Sequence, residues 1–494
     1  MKKVIIIGSG LGGLSCGVVL AKNGYEVTVL EQGAQVGGCL QCFTRQGVKF
    51  ETGMHFIGSA AKGQTLQRLF KYLEIDVKLS QLDPAGYEVI SLNGEHYAFA
   101  TGRERFIDTL AAQFPGQRDN LCRLWDIIDH VASASSLHSL RHTETDAALD
   151  IQYQLRSIND VLQSVITDAR LRDVLVGNLP LYAAEWDKTP FSTFAFIMDF
   201  YNQSAWRVVG GSDHVAGSLV GTLHRYGGQV LTRKKVIAVD CDDSHATGVT
   251  CADGSRYAAD LVIADIHPAR LMEIVTSPLL RPAYRRRIAA LPETVGGFAL
   301  YVRFKENRVP YMNHNFYSYR QGSPWHCEQY TADNWPMGYL YMHFCDSDRQ
   351  AYARSGVILS YMRMEEVQPW KGTRRGHRGD DYLRFKQVHA ERLLDVVERD
   401  FPHLRADIED YETSTPLTYF DYTGTEGGSM YGIAKDIIRG AAARVHHRTK
   451  IPNLMLTGQN INSHGILGVL VGTMVTCGEV LTSERIFQQI ADAE

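Results

Sequence analysis

The stretch Val4-Ile5-Ile6-Ile7-Gly8-Ser9-Gly10-Leu11-Gly12-Gly13 decides the fold. Four consecutive β-branched residues predict a strand buried on both faces. Gly8, Gly10 and Gly13 then fit G-x-G-x-x-G, with Gly12 as a further glycine in the same loop. Leu14 to Asn23 is small and apolar and predicts a helix, with Gly24 just past its end. A second strand, Glu26 to Leu30, ends in Glu31. Each part has a physical task. Gly8 permits the tight turn, Gly10 lets a pyrophosphate approach the backbone, and Gly13 lets helix and strand pack closely. The helix N-terminus offers free N–H donors and a positive dipole end. Glu31 follows Gly13 by 18 residues, where a carboxylate can accept ribose hydroxyls. The order strand, glycines, helix, strand, acid predicts a Rossmann unit for a dinucleotide.

Working outward, Gly37-Gly38 follows Glu31 closely. Adjacent glycines imply close backbone approach, here to the extended part of the dinucleotide. The acid followed by Gly-Gly resembles the extension found in FAD enzymes of the glutathione-reductase-like superfamily. Beyond it, Gly37-Gly38-Cys39-Leu40-Gln41-Cys42-Phe43 and Thr52-Gly53-Met54-His55-Phe56-Ile57-Gly58 resemble the phytoene desaturase, carotenoid isomerase and retinol saturase family. The retinol saturase branch fits best, through a similar T-G-x-H-aromatic-I-G run. Trp206 to Ser212, Tyr226 to Val230 and then Val236 resemble the family's middle FAD segment, which implies that Val236 meets the adenine. Asp253-Gly254 marks a hairpin turn, and Ala259 to Ala264 returns the chain to the sheet. Asn453 to Asn460, followed by Gly465, Gly468 and Gly472, resembles the C-terminal flavin motif. There Gly458 and Gln459 face the ribityl chain, and Asn460 stands where relatives often carry an acid. A glycine-rich helix then starts under the isoalloxazine ring.

The resemblance implies an α/β fold with a glutathione-reductase-like Rossmann FAD-binding domain and a discontinuous, mixed α+β substrate domain. Residues 1–75, 205–285 and 445–494 fall to the first, and 76–204 and 286–444 to the second. Local patterns predict helices over 121–132, 158–166 and 380–399, and antiparallel strands within 295–345. Lys371 to Arg378 reads as a solvated basic loop. There is no internal repeat.

The family's substrates are apolar polyenes and isoprenoids, so the resemblance implies an FAD-dependent oxidoreductase acting on C=C or C–C bonds of a carotenoid, retinoid or related lipid. Saturating a double bond needs a proton from a positioned acid. His55, Tyr431 and His464 are the candidates, each with packing or hydrogen bonding as an equal alternative. Three other readings stay open: a redox-neutral carotenoid isomerase using reduced FAD, an amine oxidase, and a flavin-carrying sensor. The amine oxidase reading is weakened because Cys39 stands where an arginine is usual. Cys39 and Cys42 form C-x-x-C, but no second strand–G-x-G-x-x-G–helix unit follows mid-chain. The pair therefore reads as structural, and an electron donor or acceptor is expected to be external.

Bulk properties limit the rest. The 494 residues exceed one simple core, and 45% hydrophobic with 21% charged residues is ordinary for a globular protein. A net charge of -4 gives no reason to expect nucleic acid. Nine scattered cysteines do not form a secreted disulfide framework. No metal site is expected. The late apolar run Ile466 to Val475 falls short of the roughly 20 residues a spanning helix needs. A cytoplasmic location is expected, with peripheral membrane contact left open.

Overall fold

A computed structural model describes residues 1–136, 140, 152–320 and 322–493. The part of the expected substrate segment at 137–139 and 141–151 lies outside the described residues.

Two sheets organise the chain. The first is a five-stranded, wholly parallel sheet in the order 229–231, 26–30, 3–7, 261–264, 454–456. Its strands come from three distant stretches of sequence. The central strand Lys3–Ile7 is covered on both faces, and Val4, Ile5, Ile6 and Ile7 are all buried. That is why an unbroken β-branched run, rather than an alternating one, encodes it.

The helix after the glycines runs Leu11–Lys22, three residues earlier than the apolar pattern alone predicts. Gly12 and Gly13 lie in its first turn. Glycine is a poor helix former, but packing overrides propensity here. A methyl group on Gly13 would sit 2.2 Å from the Gly8 carbonyl oxygen. The helix is buried nearly all round, between the parallel sheet and the helices Asp213–Arg225 and Gly465–Leu481. It ends with Gly24 at φ +84°, in the left-handed region that glycine adopts freely.

The second sheet has seven strands, in the order 408–414, 296–304, 355–362, 338–343, 315–319, 88–92, 95–99. Strands within 295–345 were expected to be antiparallel. The outcome is more mixed. Asn315–Tyr319 pairs antiparallel with Gly338–His343 but parallel with Glu88–Leu92. Gly296–Phe304 lies apart from Asn315–Tyr319, flanked by Ser355–Met362 and Ile408–Ser414. These pairings join segments far apart in sequence, so local periodicity does not encode them.

Ile57–Gly58, Ala205–Val208 and Leu79–Gln81 form a separate small antiparallel sheet. The basic stretch 371–378 is only partly solvated. Residues 372–377 are exposed, but Lys371 pairs with Glu426, and Arg378 is buried against Asp421. No single helix among the described residues is long and apolar enough to cross a membrane.

Candidate active site

A cavity of about 790 Å³ runs from the glycine-rich loop to the seven-stranded sheet. Its first end lies at the carboxyl edge of the parallel sheet, where open α/β sheets bind ligands. Gly8, Gly10, Gly12, Glu31, Gly37, Gly38, Val236, Gly458, Gln459 and Asn460 all line it. Gly13 does not; it packs behind the loop.

The Glu31 carboxylate is held in place by three donors. Ser9 N–H and Ser9 Oγ donate to Oε2 at 3.1 and 2.6 Å, and Gly33 N–H donates to Oε1 at 2.7 Å. Gly37 N–H donates to the Ser9 carbonyl at 2.9 Å, tying the Gly-Gly turn to the glycine loop. Asn460 is less free than its neighbours, because its Oδ1 accepts the Ile433 N–H at 2.9 Å. Its amide N–H groups remain for a ligand.

Asp265 belongs to this end and escapes the sequence reading. It follows the strand Leu261–Ala264 directly. Its Oδ2 accepts the Gly13 N–H at 2.7 Å, one of the helix N-terminal donors. Its place just past a strand expected to return to the sheet was the available signal.

The far end is apolar. Side chains two apart on three adjacent strands form its wall. Ala299, Leu359 and Leu340 make one row across the sheet, and Tyr301, Val357 and Met342 make the next. All six are buried. Tyr419, Phe420 and Met430 extend this wall from another side. Periodicity within each strand was visible in sequence, but the register that joins three strands into one floor was not.

The three candidate proton donors are arranged differently. His55 lines the cavity, with Nδ1 3.7 Å from Glu51 Oε2. Glu51 is itself fixed by the Ser212 N–H, which donates to Oε1 at 3.0 Å. The buried Arg207 donates to the carbonyls of His55 and His314 and to Asn315 Oδ1, at 3.3, 3.1 and 2.9 Å. It thereby fastens the His55 loop to the seven-stranded sheet. Arg207 falls within a motif read from sequence, but its role was not foreseen there.

Tyr431 also lines the cavity, yet its hydroxyl donates to the Pro180 carbonyl at 2.8 Å. Burial pushes that hydroxyl well above its ordinary pKa. His464 is absent from the cavity wall. It stands at the N-cap of the helix Gly465–Leu481, its ring tilted against that of Tyr431 with centroids 4.9 Å apart, and its buried Nε2 has no partner among the described residues. Burial, then the Lys435 charge, lower its pKa to about 3. At neutral pH the ring is uncharged and holds no imidazolium proton. The Tyr431 hydroxyl thus has a protein acceptor, and His464 stands off the cavity wall where burial disfavours its imidazolium form.

Both cysteines of the C-x-x-C are free thiols. Burial, then Asp265, push Cys39 up to about 11; burial, then Glu51, push Cys42 up to about 12. Dithiol chemistry needs an accessible thiolate, and this environment disfavours one. Among the described residues no cluster of metal-ligating side chains occurs.

The sequence model of the family described as flavin containing amine oxidoreductase matches residues 11–471. The chain is 26% identical to an all-trans-retinol 13,14-reductase of Rattus norvegicus, over 98% of this chain and 86% of that protein. It is 24% identical to a lycopene-forming phytoene desaturase of Paracoccus sp., over 98% of each chain. Its fold matches the crystal structure of an oxidoreductase from Methanosarcina mazei with a TM-score of 0.64, at 16% identity, covering 96% of this chain and 99% of that one.

Proposed function

We propose, for a chain that belongs to the flavin containing amine oxidoreductase family, that the substrate is an apolar conjugated alkene, reduced across a C=C bond. The chain is an FAD-dependent oxidoreductase. The residues present fit that cofactor. Gly10, Gly37, Gly38 and Gly458 present bare backbone to the cavity, which lets a pyrophosphate approach. Glu31 offers an oriented carboxylate to a ribose, and Val236, Gln459 and Asn460 line the remainder of the cavity. Bound and reduced, FAD supplies hydride.

The observation that carries the substrate reading is the double row Ala299-Leu359-Leu340 and Tyr301-Val357-Met342. A flat, hydrocarbon-rich molecule can lie along it. The floor carries one hydroxyl, that of Tyr301, which lies 3.3 Å from Ser414 Oγ, and no charge. The relatives named as a retinol reductase and a phytoene desaturase support the same substrate class.

The chain's own groups then have separate tasks. The floor positions the alkene and excludes water. His55 holds the proton. With Nδ1 toward Glu51, Nε2 has no hydrogen-bond partner among the described residues and is free to deliver a proton to carbon. Arg207 and Glu51 are positioning residues, holding the loop and the ring. The reductant is external, since the sequence holds one G-x-G-x-x-G unit.

The test is product analysis. Chemically reduced protein is incubated without oxygen with a panel of carotenoids and retinoids, and products are weighed by mass spectrometry. A product two hydrogens heavier supports saturation. Unchanged mass with altered double-bond geometry supports the isomerase reading instead. Unchanged starting material across the panel refutes the substrate class.

A further inference from the structure

We propose that Asp265 couples cofactor retention to pH: its carboxyl and the dinucleotide's pyrophosphate share one glycine cradle, and the pyrophosphate is held best when that carboxyl carries a proton. The inference rests on the FAD reading above.

The geometry is specific. Methyl groups on Gly10, Gly12 and Gly458 would lie 2.6, 2.9 and 2.2 Å from the Asp265 carboxylate oxygens. The carboxyl therefore fills the space those glycines leave. It also takes the Gly13 N–H, at 2.7 Å. Helix N-terminal N–H groups of this kind are what a pyrophosphate uses. Two anions in one loop repel strongly where water is scarce.

Among the described residues no cation pairs with the Asp265 carboxyl to relieve that repulsion. The groups facing Asp265 are Glu31, from the end of the strand Glu26–Leu30, and the neutral Cys39 thiol, from the Gly38–Leu40 turn. The cations in the same cavity wall have other partners. Lys234 pairs with Asp253 at 2.6 Å, and Arg270 with Glu273 and Glu426 at 3.0 and 2.9 Å; the His267 ring is turned to Glu293, 3.1 Å away. Lys235 has no ion pair to Asp265 among the described residues.

Burial, opposed by the Gly13 N–H and reinforced by Glu31, already pushes the Asp265 pKa up to about 6. A pyrophosphate beside it raises it further. By linkage, affinity is then constant below the carboxyl's pKa in the free protein and falls as pH rises toward its pKa in the loaded protein. The fall is at most about tenfold per pH unit.

The test is FAD titration of the apoprotein, followed by quenching of flavin fluorescence, between about pH 5.5 and about pH 8. Wild-type Kd is expected to rise about tenfold over that range. Asp265→Asn keeps a carbonyl oxygen for the Gly13 N–H and cannot ionise. Its Kd is expected to be flat and, at the upper pH, no weaker than wild type at the lower. Glu31→Gln should keep a pH-dependent Kd but move the fall to lower pH, because Glu31 helps to raise the Asp265 carboxyl. Calorimetry in buffers of different ionisation enthalpy provides a second measurement on unaltered protein. FAD binding at neutral pH is expected to take up a substantial fraction of a proton. A flat wild-type profile, an unchanged slope in Asp265→Asn, or zero proton uptake overturns the proposal. Failure to bind FAD at any pH would instead overturn the cofactor reading.

Discussion

The two ends of the cavity are built by different means. The dinucleotide end uses backbone: a loop of glycines, helix N–H groups, and one carboxylate held by Ser9 and Gly33. The alkene end uses side chains on a rigid sheet, six of them in two rows across three strands. Backbone recognition suits a ligand with a fixed polar spine. A side-chain floor suits a ligand with few polar handles, where shape and exclusion of water do most of the selecting. One end should therefore fail through loss of space, and the other through loss of apolarity.

The largest effect is expected at the first end. Gly10→Val should abolish FAD binding, because even its Cβ would lie 2.6 Å from Asp265 Oδ2. Flavin content per folded protein, with folding checked by circular dichroism, measures this. Normal flavin content would break the comparison at its root.

At the junction of the two ends, His55→Phe should retain FAD and lose turnover by ~10²–10⁴. The ratio of FAD affinity to turnover reads this. Equal turnover would make His55 a packing residue.

A smaller effect is expected on the floor. Val357→Thr keeps the shape and adds a hydroxyl facing an apolar ligand. Burying such a group costs ~1–2 kcal/mol, or about tenfold in kcat/KM, with FAD affinity unchanged. An unaltered kcat/KM would mean that the alkene does not lie on this floor.

The smallest change concerns the thiols. Cys39→Ser with Cys42→Ser should leave flavin content and turnover within about twofold, because raised pKa values keep both thiols protonated and unreactive. Loss of turnover with flavin retained would revive the dithiol reading.

The same contrast explains what could be read from sequence. The segment Val4 to Glu31 is nearly complete in itself, since its strand, glycines, helix and acid interact within one short unit. The strands 229–231, 261–264 and 454–456 were legible through resemblance, but their order beside Lys3–Ile7 is a long-range fact. Asp265 was passed over because a lone acid after a strand has no distinctive spacing. The floor was illegible for a stronger reason. Ala299, Leu340 and Val357 look like ordinary core residues until the strand register brings them together. His464 looked like a flavin-side acid by position, and its burial beside Lys435, which disfavours the imidazolium form, is a tertiary fact.

The central claim is that one cavity joins a dinucleotide site to an apolar floor for a conjugated alkene. Anaerobic stopped-flow mixing of the chemically reduced, FAD-loaded protein with a graded panel of polyenes tests it most directly. The account predicts flavin reoxidation faster than in buffer alone, saturating with polyene concentration, and slowed by Val357→Thr and more so by His55→Phe. Reoxidation no faster than buffer with every polyene, together with rapid reduction of the oxidised protein by an amine, would contradict it.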